Sequence, residues 1–124
     1  MTAPPRKRRV LFVEDEAPLR AAYARLFGGR YELAFAATGM EALREFERFA
    51  PEVVVLDLRL PDVDGIDVLA KIRATNTAVR VVVTSSYASM EPQIGMLGLG
   101  LDAYLQKPFD SGDLARLIDG GPDR

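Results

Sequence analysis

Short apolar runs alternate along this chain with stretches of helical spacing. The sharpest run is Val53-Val-Val-Leu, which ends abruptly in Asp57. A run this short and this apolar reads as a strand covered on both faces, as in a parallel sheet. Val10 to Val13, Tyr31 to Ala36, Val79 to Thr84 and Ala103 to Gln106 read as the other strands. Pro18 suits the first turn of a helix that runs to Phe27, with Leu19, Ala22, Tyr23, Leu26 and Phe27 at helical spacing and Gly28-Gly29 as its stop. Thr38-Gly-Met-Glu41 is a capping box, followed by a buried stripe of Ala42, Leu43, Phe46 and Phe49. Pro61 and Gly65 turn the chain after Asp57, and Asp64 caps a third helix over about 65–74, with Ile66, Leu69, Ala70 and Ile72 on its mixed face. A weak fourth helix is expected from Ser89 to about Leu97, because Gly95 lies inside it and an interior glycine costs about 1 kcal/mol relative to alanine. Asp110-Ser-Gly-Asp113 opens a short last helix closed by Gly120-Gly121-Pro122. Five βα units predict a doubly wound α/β fold, with a parallel sheet and right-handed crossovers.

Length and composition narrow the chemistry. The 124 residues suffice for one domain with a real core and are too few for two. Residues 9–120 are read as that domain, 1–8 as a disordered basic tail and 121–124 as a C-terminal tail. There is no cysteine and no histidine, which excludes thiol nucleophiles, disulfides, thiolate or imidazole metal sites and His-based acid–base catalysis. A net charge of −2 argues against nucleic-acid binding, and Arg6-Lys-Arg-Arg9 reads as a solvated charge run. No apolar run is long enough to span a bilayer, so no membrane association and a cytoplasmic location are expected.

Functional candidates gather where the strands end. The first strand ends at Glu14 and Asp15, the third at Asp57, the fourth at Thr84 and the fifth at Lys107. In open α/β sheets ligands bind at this carboxyl edge. Singly, each residue has an ordinary role as a cap, turn or surface group. Together they form a cluster that repels itself. Two like charges about 5–6 Å apart at an effective dielectric of ~20 cost roughly 3 kcal/mol. Lys107 offsets part of this, and a hard divalent cation such as Mg²⁺ would offset the rest. A carboxylate beside Mg²⁺ and a lysine can accept a phosphoryl group as an acyl phosphate, with Thr84 donating to a phosphoryl oxygen.

The ordered set Val-Glu14-Asp15-Glu, Asp57-Leu-Arg-Leu-Pro61-Asp-Val-Asp-Gly65, Val-Val-Thr84-Ser-Ser and Asp102-Ala-Tyr104-Leu-Gln-Lys107-Pro108-Phe resembles the response-regulator receiver domain of two-component signalling. The resemblance runs from about Arg9 to Asp119. It implies a flavodoxin-like, five-stranded parallel sheet of order 2-1-3-4-5 with five helices. It implies a switch, not a conventional enzyme, that catalyses its own Mg²⁺-dependent phosphotransfer and autodephosphorylation. Asp57 would take the phosphoryl group from a histidine kinase or phosphotransfer protein of a phosphorelay. Mg²⁺, or Mn²⁺ in its place, would bind Asp15, Asp57 and the backbone carbonyl of Arg59, with Glu14 mostly through water. Lys107 would bind the phosphoryl group, and Pro108 would hold the preceding peptide cis. Thr84 and Tyr104 would be the switch pair, altering the face of the fourth helix, fifth strand and fifth helix to regulate a downstream protein. Arg59 and Ser86, each two residues past a site residue, would flank an attacking water and tune the lifetime of the phosphorylated form. A monomer or a weak phosphorylation-dependent dimer is expected. Ser85, the glycine-rich fourth helix and the short last helix depart from the family's usual pattern.

Three alternatives compete. A haloacid-dehalogenase-type phosphatase needs an acid–base Asp two residues after its nucleophile, where this chain has Arg59. An FMN carrier needs a phosphate loop after the first strand, where Glu14-Asp15-Glu16 would repel phosphate. A degenerate receiver acting as a phosphorylation-independent docking module is disfavoured by the intact set Glu14, Asp15, Asp57, Thr84 and Lys107.

Overall fold

The computed structural model describes residues 6–86, 98 and 100–120. Five strands form one parallel sheet in the order β2-β1-β3-β4-β5: β1 Arg9–Val13, β2 Glu32–Ala36, β3 Val53–Asp57, β4 Arg80–Ser85 and β5 Ala103–Gln106. Four helices lie among the described residues: α1 Ala17–Phe27, α2 Gly39–Phe49, α3 Gly65–Thr75 and α4 Ser111–Ile118. The further helix expected over 89–97 lies outside them.

Two cores cover the sheet, and side-chain alternation along the strands decides which residues join which. Leu11, Val13, Val54, Leu56, Val81 and Val83 face α2 and α3, where they meet Ala42, Phe49, Val68, Leu69 and Ile72. Val10, Phe12, Val53, Val55 and Val82 face α1 and α4, where they meet Tyr23, Phe27, Leu114, Ala115 and Ile118. Burying a Val, Leu or Phe fully is worth about 1.5–3 kcal/mol. The predicted stripes hold with two corrections. Leu26 is exposed on α1 and Ala70 on α3, because α1 turns Tyr23 and Phe27 to the sheet and α3 turns Val68, Leu69 and Ile72.

The caps act as the sequence implies, with one addition. The Thr38 hydroxyl accepts from the Glu41 amide at 3.0 Å. Glu41 reaches back to the amide of Ala37, one residue earlier than a standard capping box. Asp62, from the loop after β3, accepts from the amides of Gly39 and Met40 at 2.8 and 3.0 Å and completes the start of α2. Asp64 caps α3 through the amide of Ile66, and Asp110 caps α4.

Candidate functional site

The register of the sheet aligns the strand ends. Phe12 pairs with Val55, and Asp57 with Thr84. Glu14, Asp57, Thr84 and Lys107 continue the alternation of Phe12, Val55, Val82 and Leu105, so all four belong to the side of the sheet covered by α1 and α4. The chain extends each ladder to reach this point. The Glu14 amide donates to the Ala36 carbonyl, and the Lys107 amide to the Ser85 carbonyl at 2.7 Å. The Lys107–Pro108 peptide is cis.

Lys107 binds the cluster together. Its Nζ donates to Glu14 Oε1 at 2.7 Å and to Asp57 Oδ2 at 2.8 Å. Both carboxylates are buried, at 1% and 5% exposure, which is rare for charged groups that are not paired. Asp57 Oδ1 accepts from the Arg59 amide at 3.0 Å, and Glu14 Oε2 from the Glu16 amide at 3.2 Å. Arg20 of α1 donates to the Glu14 carbonyl at 2.7 Å and pins the acidic turn. Burial pushes the Glu14 carboxyl up to about 7. The bond from Lys107 works against that rise, and the charge of Asp57 adds to it. For Lys107, burial pulls the ammonium down, but the bonds to Asp57 and Glu14 more than offset this and hold it above its ordinary range.

Asp15 is exposed at the rim. Glu14, Asp15 and Asp57 each bring a carboxylate oxygen within 4.8 Å of the others. Three carboxylates facing one ammonium fit a hard divalent cation, which prefers one or two carboxylates together with waters and phosphate oxygens.

The other predicted residues take distinct places. Thr84 is buried on β4 beside Asp57. Tyr104 is half-buried and pairs with Val83, one register step from Thr84, and it packs with the core on the opposite side of the sheet. The two switch candidates are therefore not side by side on one face. Arg59 and Ser86 are exposed at the ends of β3 and β4. Pro61 lies in the loop after β3. At Gly65 a Cβ would stand 2.5 Å from Leu58 Cα and 2.9 Å from the Asp57 carbonyl oxygen, so only glycine lets α3 begin this close to the site. The contributions of Arg20 and Asp62 are tertiary bonds that no local spacing signals.

Comparison with known proteins gives a consistent picture. Residues 10–119 match the family described as response regulator receiver domain. The transcriptional regulatory protein PrrA of Mycobacterium bovis is 37% identical over 111 residues, which are 89% of this chain and 48% of PrrA. The chain thus spans about half the length of that relative. A CheY-like receiver domain protein from Methanospirillum hungatei superposes with a TM-score of 0.83 at 30% identity, covering 91% of both chains. The response regulator TrrA of Thermotoga maritima, solved in complex with Mg²⁺-BeF, gives a TM-score of 0.80 at 26% identity over 90% of this chain and 96% of its own.

Proposed function

The chain belongs to the response regulator receiver domain family, and from that premise we propose that Asp57 is its phosphoryl acceptor and that a sensor histidine kinase or phosphotransfer protein is the donor. The observation that carries this reading is the Lys107 ammonium shared between buried Glu14 and Asp57. It supplies a preorganised positive charge at the carboxylate that has to react. An Asp57 oxygen forms a bond to phosphorus as the bond from phosphorus to the donor's imidazole nitrogen breaks. The imidazole leaves with the electron pair, and an acyl phosphate results. Lys107 exchanges its bond to Asp57 for one to a phosphoryl oxygen, and the Thr84 hydroxyl donates to another.

Asp15, Asp57 and the carbonyl of Arg59 would hold Mg²⁺, with Glu14 acting mostly through water and Mn²⁺ accepted in its place. The likeness to TrrA, which binds Mg²⁺-BeF, supports this assignment. Bound Mg²⁺ supplies neutralisation of charge on the transferring oxygens. Arg59 and Ser86 tune loss of the group to water. Thr84 and Tyr104 carry the change to the face formed by the segment before β5, β5 itself and α4, where a downstream protein responds. We further assign the receiver unit to residues 9–120, flanked by tails at 1–8 and 121–124, place it in the cytoplasm, and expect a monomer or a weak phosphorylation-dependent dimer. Among the described residues no helix is long and apolar enough to cross a membrane.

The test is labelling with a small phosphodonor such as acetyl phosphate. Label should appear on the wild type with Mg²⁺, vanish with a chelator and be lost in Asp57→Asn. Label taken up by Asp57→Asn at another residue with wild-type kinetics would overturn the assignment.

A further inference from the structure

Beneath the acidic cluster lies a polar group that the phosphotransfer reading does not use. Tyr23 of α1 stacks on Phe12 of β1, with ring centroids 4.5 Å apart and planes inclined by 22°. The residue is 3% exposed, and its hydroxyl is the buried side-chain polar atom left without a hydrogen-bond partner among the described residues. A buried hydroxyl left unpaired has lost its bonds to water without replacement, which is unfavourable. The ring alone does not require the hydroxyl, since Phe27 occupies the next turn of the same helical stripe and packs on the same Phe12 without one. Tyr31, the other tyrosine buried among the described residues, bonds through its hydroxyl to Asp119 at 2.8 Å.

The ring's support places Tyr23 on the same side of the sheet as the acidic cluster. Phe12 and Glu14 lie two residues apart on one face of β1 and its extension, a rise of about 6–7 Å. Burial raises the Tyr23 ionisation most, and the charges of Glu14, Asp57 and Glu16 then raise it further, in that order. These are residues of the site and its acidic turn.

We propose that the Tyr23 hydroxyl is a positioning donor of the site, engaging the Glu14 carboxylate when that carboxylate serves a bound cation. This rests on the assignment of Glu14 to the cation site. A donor beside Glu14 would orient its carboxylate, and so favour cation binding without touching the phosphoryl group.

The test uses Tyr23→Phe, which keeps the stacked ring, beside Tyr31→Phe as a control for loss of a hydroxyl elsewhere. The chain has four tyrosines and no tryptophan, so tyrosine dominates its near-ultraviolet spectrum. Titration of the wild type with MgCl₂ should give a tyrosine difference spectrum. Tyr23→Phe should lose most of that difference and bind Mg²⁺ about five- to tenfold more weakly, the effect of losing one hydrogen bond to a charged group. Tyr31→Phe should melt at lower temperature yet keep the wild-type Mg²⁺ affinity. Equal affinity and an equal difference spectrum in Tyr23→Phe and wild type would overturn the role of Tyr23 alone. A wild type that binds no Mg²⁺ would overturn the cation site as well.

Discussion

Arg59 shows how one backbone bond can place a side chain for a second task. Its amide donates to Asp57 Oδ1, and its side chain is exposed two residues past the proposed nucleophile. A guanidinium there can cover an acyl phosphate and hold its oxygens against an incoming water. Arg59→Ala should therefore shorten the lifetime of the phosphorylated form by roughly two- to fivefold, in keeping with a contact at an exposed position. A dephosphorylation time course measures this, and an unchanged or longer lifetime would remove Arg59 from the tuning role. At this scale the sequence is informative where chemistry sits at the end of a strand. Asp57 follows four buried apolar residues, and Lys107 precedes a proline at the end of a short strand. It is silent on Tyr23, which helical spacing places in the apolar stripe without distinguishing its hydroxyl from the ring. Arg20 is equally hidden, since its partner is a backbone carbonyl six residues earlier, in a turn.

Elements are joined here by loops as much as by cores. The loop after β3 carries Asp62 to the start of α2, where it takes two amides that the helix itself cannot satisfy. Bonds from Gly39 and then Met40 hold the Asp62 carboxyl below the usual aspartate range. A folded-state value below the unfolded one adds stability above the ordinary aspartate pKa, and that stability is lost as pH falls through the folded value. Asp62→Ala should thus melt a few degrees lower at neutral pH and converge with the wild type in acid. Circular dichroism melts across the acid limb check this; identical melting at neutral pH would mean the bonds add nothing. Among the described residues the helices and strands are legible, with bounds displaced by about one residue, because Thr38, Asp64 and Asp110 mark helix starts locally. The link from Asp62 is not, since it joins residues 22 and 23 positions apart with no periodic trace. Val68 is a core residue of α3 that the spacing does not single out beside Leu69 and Ile72.

Across the whole molecule, the proposed signal has to leave a rigid sheet edge and reach a surface. Thr84 is buried beside Asp57, and Tyr104 stands one register step away on the other face. Any message between them therefore crosses the sheet through β4 and β5 rather than along one layer. Moving the domain from mostly inactive to mostly active requires the phosphoryl group to favour the active state by several kcal/mol. Thr84→Ala should retain phosphorylation while losing much of that shift. Amide hydrogen exchange with and without Mg²⁺ and beryllofluoride reads this directly. Protection over residues 89–104 should change in the wild type and respond far less in Thr84→Ala. Changes confined to the loops around Asp57 would instead exclude that face as the output.

The bond from Lys107 to Glu14 spans 93 residues of sequence. Glu14 and strands β1 to β3 emerge early in synthesis, while the ammonium that pairs with Glu14 and Asp57 comes just after β5, one of the two edge strands. A nascent chain or a truncated fragment can thus carry every acidic residue of the site and still lack the ammonium that pairs with Glu14 and Asp57. If Asp57 is the phosphoryl acceptor, as proposed, competence to receive a signal becomes a certificate of completed folding, and an unfinished copy would not draw phosphoryl groups away from finished ones.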